Sequence, residues 1–170
     1  MRKFLANYDI IELKSRLSSV IEVKNNDDIQ THFRQIFLLM DEGKDSGTIE
    51  NESFKIWTHE QGPTGATGIF YPIIEGIVKP SHQGLEIEFK SKMNLIGRTV
   101  FFIIAFLMAY ITLSGIIIQE NNDFKFLIRR ILVGGVFFGG MLFIPLYIHF
   151  RTSKIIKNFL IKELELRQID

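Results

Sequence analysis

The amino-acid sequence predicts an α+β fold: a small antiparallel β-meander with an N-terminal helix, followed by a two-helix transmembrane hairpin and a C-terminal amphipathic helix. Three observations lead to this prediction. Short strand-like segments joined by turns containing Gly and Pro lie before residue 93, two long runs without Asp, Glu, Lys or Arg follow, and the end of the chain has a helical apolar period. We therefore divide the chain into a cytoplasmic α+β domain (1–97), a membrane hairpin (98–150) and a C-terminal helix (151–170).

The first part of the chain supplies the N-terminal helix. In residues 10–21, Leu13 and Leu17 share one stripe of a short amphipathic helix, and Asp9 is a suitable N-cap. The apolar run at 32–40 is too short for its period to decide between helix and strand, and we assign it as a strand.

Three segments joined by turns containing Gly and Pro indicate the meander. They cover residues 48–60, 68–80 and 85–93, and the last alternates apolar with charged side chains, so that one face is buried and the other wet. Pro72 lies inside the second segment and cannot donate to a strand ladder, so we place it at an edge or a bulge. The third strand leads almost directly into the first apolar run, which holds the domain close to the bilayer.

The two apolar runs, 99–118 and 131–150, are interpreted as transmembrane helices. Each would span about 30 Å, the thickness of the hydrocarbon core of a bilayer. Buried helices of a soluble protein are the alternative.

A short link joins the runs, so both chain ends lie on one side. Nine Lys and Arg residues flank the runs on that side, against Lys125, Arg129 and Arg130 in the link, which predicts two cytoplasmic termini. The nine are Lys79, Lys90, Lys92, Arg98, Arg151, Lys154, Lys157, Lys162 and Arg167.

Small residues suggest how the hairpin closes. Ala105 and Ala109 are one turn apart in the first run, and Gly135 and Gly139 form a GxxxG in the second. Such pairs let helix backbones approach closely, either within the hairpin, as we expect, or between two copies of the chain. Neither run has a charged side chain in its interior, which favours an anchor over a transport path.

The C-terminal segment has one apolar stripe. Its members are Ile156, Phe159, Leu160 and Leu164. We expect this helix to dock on the α+β domain; an interfacial helix attracted to anionic lipid is the alternative.

The order of these segments resembles a group of uncharacterised small bacterial membrane proteins of Bacteroidetes-like genomes, which have two membrane helices and an N-terminal cytoplasmic α+β domain. The resemblance covers roughly residues 45–150 and lies in apolar and turn positions. The matching residues are Gly47, Ile49, Phe54, Lys55, Ile56, Pro72, Ile74, Gly76, Ile77 and Gly84. The group has a Tyr-Arg-Asn-Ser-like stretch before the proline, where this chain has Thr67 to Tyr71, so no role of that stretch is carried over. The resemblance implies an architecture but no activity.

Composition and motifs argue against several functions. The 20 Lys and Arg residues balance 19 Asp and Glu, unlike a nucleic-acid binder, and the absence of cysteine excludes disulfides, zinc–thiolate sites and a cysteine nucleophile. The Gly-rich segment 61–70 lacks the Lys of a phosphate-binding loop, and the acidic segment 41–52 lacks the glycine of a calcium loop. The four histidines have no metal-like spacing. We therefore expect no catalytic residue, metal or cofactor.

Aromatic side chains provide one candidate surface. Trp57, Phe70 and Tyr71 form a possible partner surface, although aromatic residues on a small sheet more often belong to the core. Trp57 faces outward if Phe54 and Ile56 face inward. The sequence thus predicts a non-catalytic, membrane-anchored binding or regulatory module of the bacterial inner membrane. Its expected partners are the lipid bilayer and an unidentified protein, with a homo-oligomer possible and no nucleic acid. The alternatives are an immunity-type protein that neutralises a membrane-acting toxin and an accessory subunit of a larger membrane complex.

Overall fold

The computed structural model describes residues 3–24, 27–38, 45–57, 69–117 and 124–169. These residues form an α+β fold with four helices and a mixed seven-stranded sheet. The elements in chain order are β1 (Lys3–Ala6), α1 (Ile10–Val20), β2 (Glu22–Val23), α2 (Ile29–Leu38), β3 (Ser46–Ile49), β4 (Ser53–Trp57), β5 (Pro72–Ser81), β6 (Gly84–Met93), α3 (Leu95–Ile117), α4 (Phe124–Glu163) and β7 (Arg167–Ile169).

The sheet has the order β2-β3-β4-β5-β6-β1-β7. Its centre is an antiparallel meander, β3 to β6, which confirms the predicted topology and adds one strand to it. Both ends of the chain extend this centre: β2 pairs in parallel with β3, while β1 lies between β6 and β7. The sequence prediction missed β1, β2 and β7, because runs of two to four residues carry no measurable period.

Pro72 is not at a sheet edge, contrary to the prediction. It is the first residue of β5, a central strand that pairs with both β4 and β6. A strand can begin with proline because its missing N–H lies at the end of the ladder.

One face of the sheet carries the hydrophobic core. It is covered by α1 and by the C-terminal part of α4, whose buried side chains meet those of the central strands. Close packing at the centre requires glycine at position 76, where a Cβ would lie 2.2 Å from the ring of Phe54. The core residues include Phe4, Leu13, Leu17, Phe54, Ile56, Ile74, Val78, Ile87, Phe89, Ile156, Leu160 and Leu164.

The segment assigned as a strand at 32–40 is helical, so that prediction is wrong. Residues up to Leu38 belong to α2, and the remaining two lie outside the described residues. Asp28 begins the helix: its side chain accepts the N–H of Thr31 at 2.7 Å, and its carbonyl accepts the N–H of His32 at 3.2 Å. This capping residue precedes the apolar run by several positions and is the signal that reveals the helix.

Two long helices follow the sheet. The predicted second run and the C-terminal helix are one element, α4, of 40 residues, which is about 60 Å long. By length and composition, its part Gly134–Glu163 is a candidate membrane span, and Leu95–Ile111 in α3 is a shorter apolar helix; both findings concern the described residues. The link between the helices, and the Gly-rich and acidic segments at 61–68 and 41–44, lie outside the described residues.

Candidate functional site

The start of α3 is fixed to the sheet by a buried asparagine. Asn94 separates β6 from α3 and caps the helix, because its Oδ1 accepts the N–H of Gly97 at 2.8 Å. Its Nδ2 donates to the carbonyls of Ile69 at 2.7 Å and Tyr71 at 3.0 Å. A Cβ on Gly97 would lie 2.3 Å from the Ile69 carbonyl oxygen. The apolar helix therefore leaves the domain without a flexible linker.

A chain of polar side chains lies beside this junction. His32 of α2 donates from Nε2 to Oδ1 of Asp27 at 2.6 Å, and its Nδ1 accepts the hydroxyl of Tyr71. Lys55 of β4 donates to the second oxygen of Asp27, also at 2.6 Å. The ring of Trp57 meets His32 edge-on, with centroids 5.1 Å apart. We call Asp27, His32, Lys55, Trp57 and Tyr71 the histidine clamp, because these residues fasten α2 to the sheet.

The charges of the clamp stabilise one another. Burial raises the pKa of Asp27, but the hydrogen bonds from His32 and Lys55 outweigh this effect and hold that pKa below 3.8. The same contact raises the pKa of Lys55 above its usual value. Burial, followed by the nearby charge of Asp27, raises the pKa of the Tyr71 hydroxyl. At neutral pH the clamp therefore contains a carboxylate, an ammonium group and a neutral phenol.

The order carboxylate–imidazole–hydroxyl also occurs in nucleophilic enzymes. Here the imidazole and the hydroxyl belong to buried side chains, since His32 and Tyr71 are 4% and 2% exposed. A phenol with a raised pKa stays protonated and is a poor nucleophile. The backbone of Tyr71 also accepts from Asn94, so the clamp and the start of α3 share one residue.

The junction at α4 is of a different kind. The helix continues from its apolar part onto the sheet and buries Ile156, Leu160 and Leu164 in the core, so the predicted docking of the C-terminal stripe is confirmed. Polar contacts flank this surface. The hydroxyls of Ser153 and Ser91 are 2.6 Å apart, and the Tyr8 hydroxyl donates to the Leu164 carbonyl at 2.7 Å.

The structure corrects the predicted partner surface. Trp57 does lie on the face opposite Phe54 and Ile56, but it is 0% exposed because α2 covers that end of the face. Tyr71 is buried in the clamp, and Phe70 is half-buried. Trp57 and Tyr71 therefore belong to the interior rather than to a partner surface.

The predicted helix-packing residues are not brought together. Gly135 and Gly139 are exposed, and a Cβ at either position would meet no atom within 4 Å. Ala105 is half-buried and Ala109 exposed on α3. Among the described residues, Gly135 and Gly139 therefore make no tight helix contact.

Sequence reasoning missed the histidine clamp entirely. Its members come from the loop before α2, from α2 itself and from two strands, and no local spacing joins them. The nearest signal was the Asp-Asp pair before the apolar run, which predicts a helix start and hence a histidine facing the sheet. In the described residues no group of three or more His, Asp or Glu side chains is arranged to hold a metal.

Comparisons with protein-family models, with curated proteins and with solved structures find no match for this chain. The resemblance to small bacterial membrane proteins stays a prediction.

Proposed function

We propose that this protein is a non-catalytic binding or regulatory module anchored in the bacterial inner membrane. In this proposal α3 and α4 cross the bilayer as a hairpin, both termini are cytoplasmic, and the α+β unit binds a protein partner at the inner face. The balance of Lys and Arg around the two apolar helices supports this orientation.

The observation that carries the proposal is the absence of a flexible linker between the sheet and either described apolar helix. α3 is capped by Asn94, whose side chain also holds the backbone of Ile69 and Tyr71. α4 continues without interruption from its apolar part to Leu160 in the core. A simple anchor needs no such rigidity. Two rigid connections suit a module whose sheet responds when the hairpin tilts or when its two helices move apart.

A partner surface is available on the sheet face opposite the core. Cross-strand pairs bring charges together there: Lys3 lies 2.7 Å from Glu86, and Lys92 lies 2.7 Å from Glu75. Half-buried Ile73 and Ile77 lie among them. Apolar side chains within a polar border are typical of protein-binding surfaces. We call this region the outer face.

Cysteine labelling tests the membrane topology, because the chain has no cysteine of its own. Asn121→Cys should react with an impermeant maleimide added outside intact spheroplasts. Ser81→Cys, at the last residue of β5, should react only after the membrane is opened. Equal labelling of the two variants would rule out the hairpin orientation.

Photo-crosslinking in cells tests partner binding. A photoreactive amino acid at Ile77 should form an adduct of defined mass with one protein, identified by mass spectrometry. Ile11, an exposed isoleucine of α1, is the matched control and should give none. The same adducts from both positions, or none from Ile77, would contradict binding at the outer face.

A second candidate function is that of an accessory subunit or homo-oligomer. The exposed Gly135 and Gly139, with open space around them, favour a close contact with another helix. Gly139→Leu should then reduce the size of the detergent-solubilised particle on native gels, whereas an unchanged size would remove this candidate. The immunity-type alternative gains no support from the contacts of the described residues.

A further inference from the structure

α2 presents an apolar surface away from the sheet. Its His32 is buried in the clamp, while Ile29 and Phe33, four residues apart on one face, are 57% and 52% exposed. The helix also lies against α3. α2 is therefore close to the first apolar helix, and Leu95, in the first turn of α3, is also exposed.

Basic side chains lie near the points where α3 and α4 meet the domain. Arg98 is exposed in the first turn of α3, and Lys92 is exposed near the end of β6. On α4, the Ser153–Ser91 contact places the exposed Arg151 and Lys154 beside the end of that strand. We call Lys92, Arg98, Arg151 and Lys154 the basic collar. Lys92 and Arg98 lie on either side of the start of α3, and Arg151 and Lys154 follow the apolar part of α4. Lys92 also pairs with Glu75 at 2.7 Å.

We propose that α2 is an interfacial helix that lies on an anionic lipid surface, with Ile29 and Phe33 among the acyl-chain ends and the basic collar at the phosphates. This inference rests on the proposed membrane location. A lipid surface matches both features, because apolar side chains enter the boundary region while Lys and Arg attract anionic headgroups. The acidic Asp28 beside this face is engaged in capping, since its carboxylate accepts the N–H of Thr31.

The test uses the full chain with single cysteines carrying the fluorophore NBD, reconstituted into vesicles. The probe site is Phe33→Cys, with Ile29→Cys as a second site on the same face. Ile11→Cys is the matched control: it is 75% exposed and lies near Tyr8, which contacts Leu164 at the far end of α4. Phe106→Cys, an exposed position on α3, reports the membrane span itself. Intrinsic fluorescence of Trp57 verifies that each variant is folded.

We expect doxyl-labelled phosphatidylcholine to quench NBD strongly at position 106, partially at positions 33 and 29, and not at position 11. Replacing a third of the lipid by phosphatidylglycerol should at least double the quenching at position 33 relative to phosphatidylcholine alone. Quenching at 106 without quenching at 33 and 29 would overturn the inference and leave the anchor intact. Absence of quenching at 106 would overturn the proposed membrane location itself.

Two further results would overturn the inference. A blue-shifted but unquenched label at position 33 would mean that protein, such as a second copy of the chain, covers the face. Equal quenching with and without phosphatidylglycerol would remove the role of the collar. Arg98→Gln should abolish the phosphatidylglycerol effect, whereas Lys79→Gln, an equal change of charge near the opposite end of β5, should leave it unchanged.

Discussion

The two connections between the sheet and the apolar helices are built from different interactions. At α3 the contact is polar and local: one asparagine side chain makes three hydrogen bonds, and a glycine lies against a carbonyl. At α4 the contact is apolar and extended, and its side chains belong to the same core as those of the strands. Hydrogen bonds fix direction, while buried area supplies free energy. We therefore expect α4 to control the stability of the domain and α3 to control its orientation.

The largest effect is expected from the α4 side. Leu160→Ala removes a fully buried side chain from the core and should lower the free energy of unfolding by about 2–5 kcal/mol. Ile155→Ala, at an exposed position of the same helix, should change it by less than about 0.5 kcal/mol. Urea unfolding in detergent micelles, followed by the single tryptophan, measures both variants. Equal effects would show that α4 does not dock on the sheet.

Gly97 and Gly135 differ in the space around them, and alanine substitutions at the two positions should therefore have different effects. Gly97→Ala forces a Cβ against the Ile69 carbonyl and should destabilise the domain by about 1–3 kcal/mol. Gly135→Ala meets no atom and should be neutral or stabilise α4 by up to about 1 kcal/mol through helix propensity. The same unfolding assay measures the pair. Destabilisation by Gly135→Ala would indicate that another chain occupies that face.

Two substitutions of Asn94 separate the two roles of its side chain. It caps α3 by accepting the N–H of Gly97, and it donates to the carbonyls of Ile69 and Tyr71. Asn94→Ala removes the side-chain partner of the Ile69 carbonyl and of the Gly97 N–H, and should lower the free energy of unfolding by about 1–3 kcal/mol. Asn94→Asp keeps the acceptor for Gly97 but loses the donor to Ile69 and Tyr71. Hydrogen exchange should therefore show a protected Gly97 amide in the aspartate variant and an unprotected one in the alanine variant. Equal protection in the two variants would contradict the capping role.

The smallest effect concerns pH and the histidine clamp. The pKa of Asp27 is lower in the folded chain than its ordinary value of 3.8. Below pH 3.8 the unfolded chain therefore takes up the proton first, and the stability contributed by Asp27 is present above that pH and lost as the pH falls through the folded-state value. Asp27→Asn should flatten the acid limb of a plot of unfolding free energy against pH. Parallel curves for the two proteins would show that Asp27 carries no stabilising charge.

The sequence predicted those parts of the fold in which one period persists over many residues. The alternation at 85–93 identified β6, and the stripe of Ile156, Leu160 and Leu164 identified the docked end of α4. Short elements were not predicted because their partners are distant in sequence. β7 pairs with β1, and almost the whole chain separates the two strands in sequence. The misassigned α2 had a second consequence, since the helix covers Trp57 and creates the clamp. An error in one element thus concealed the site.

The pairing of β1 with β7 has a consequence for synthesis. The core needs Leu160 and Leu164, which follow both apolar helices, and the last strand of the sheet comes after them. A ribosome adds about 5–20 residues per second, so the meander waits several seconds, with one face uncovered, until the rest of α4 has been made. β1 pairs with β7, which is made after both apolar helices. The sheet thus closes only once α3 and α4 have been made, which ties the order of folding to the order of synthesis.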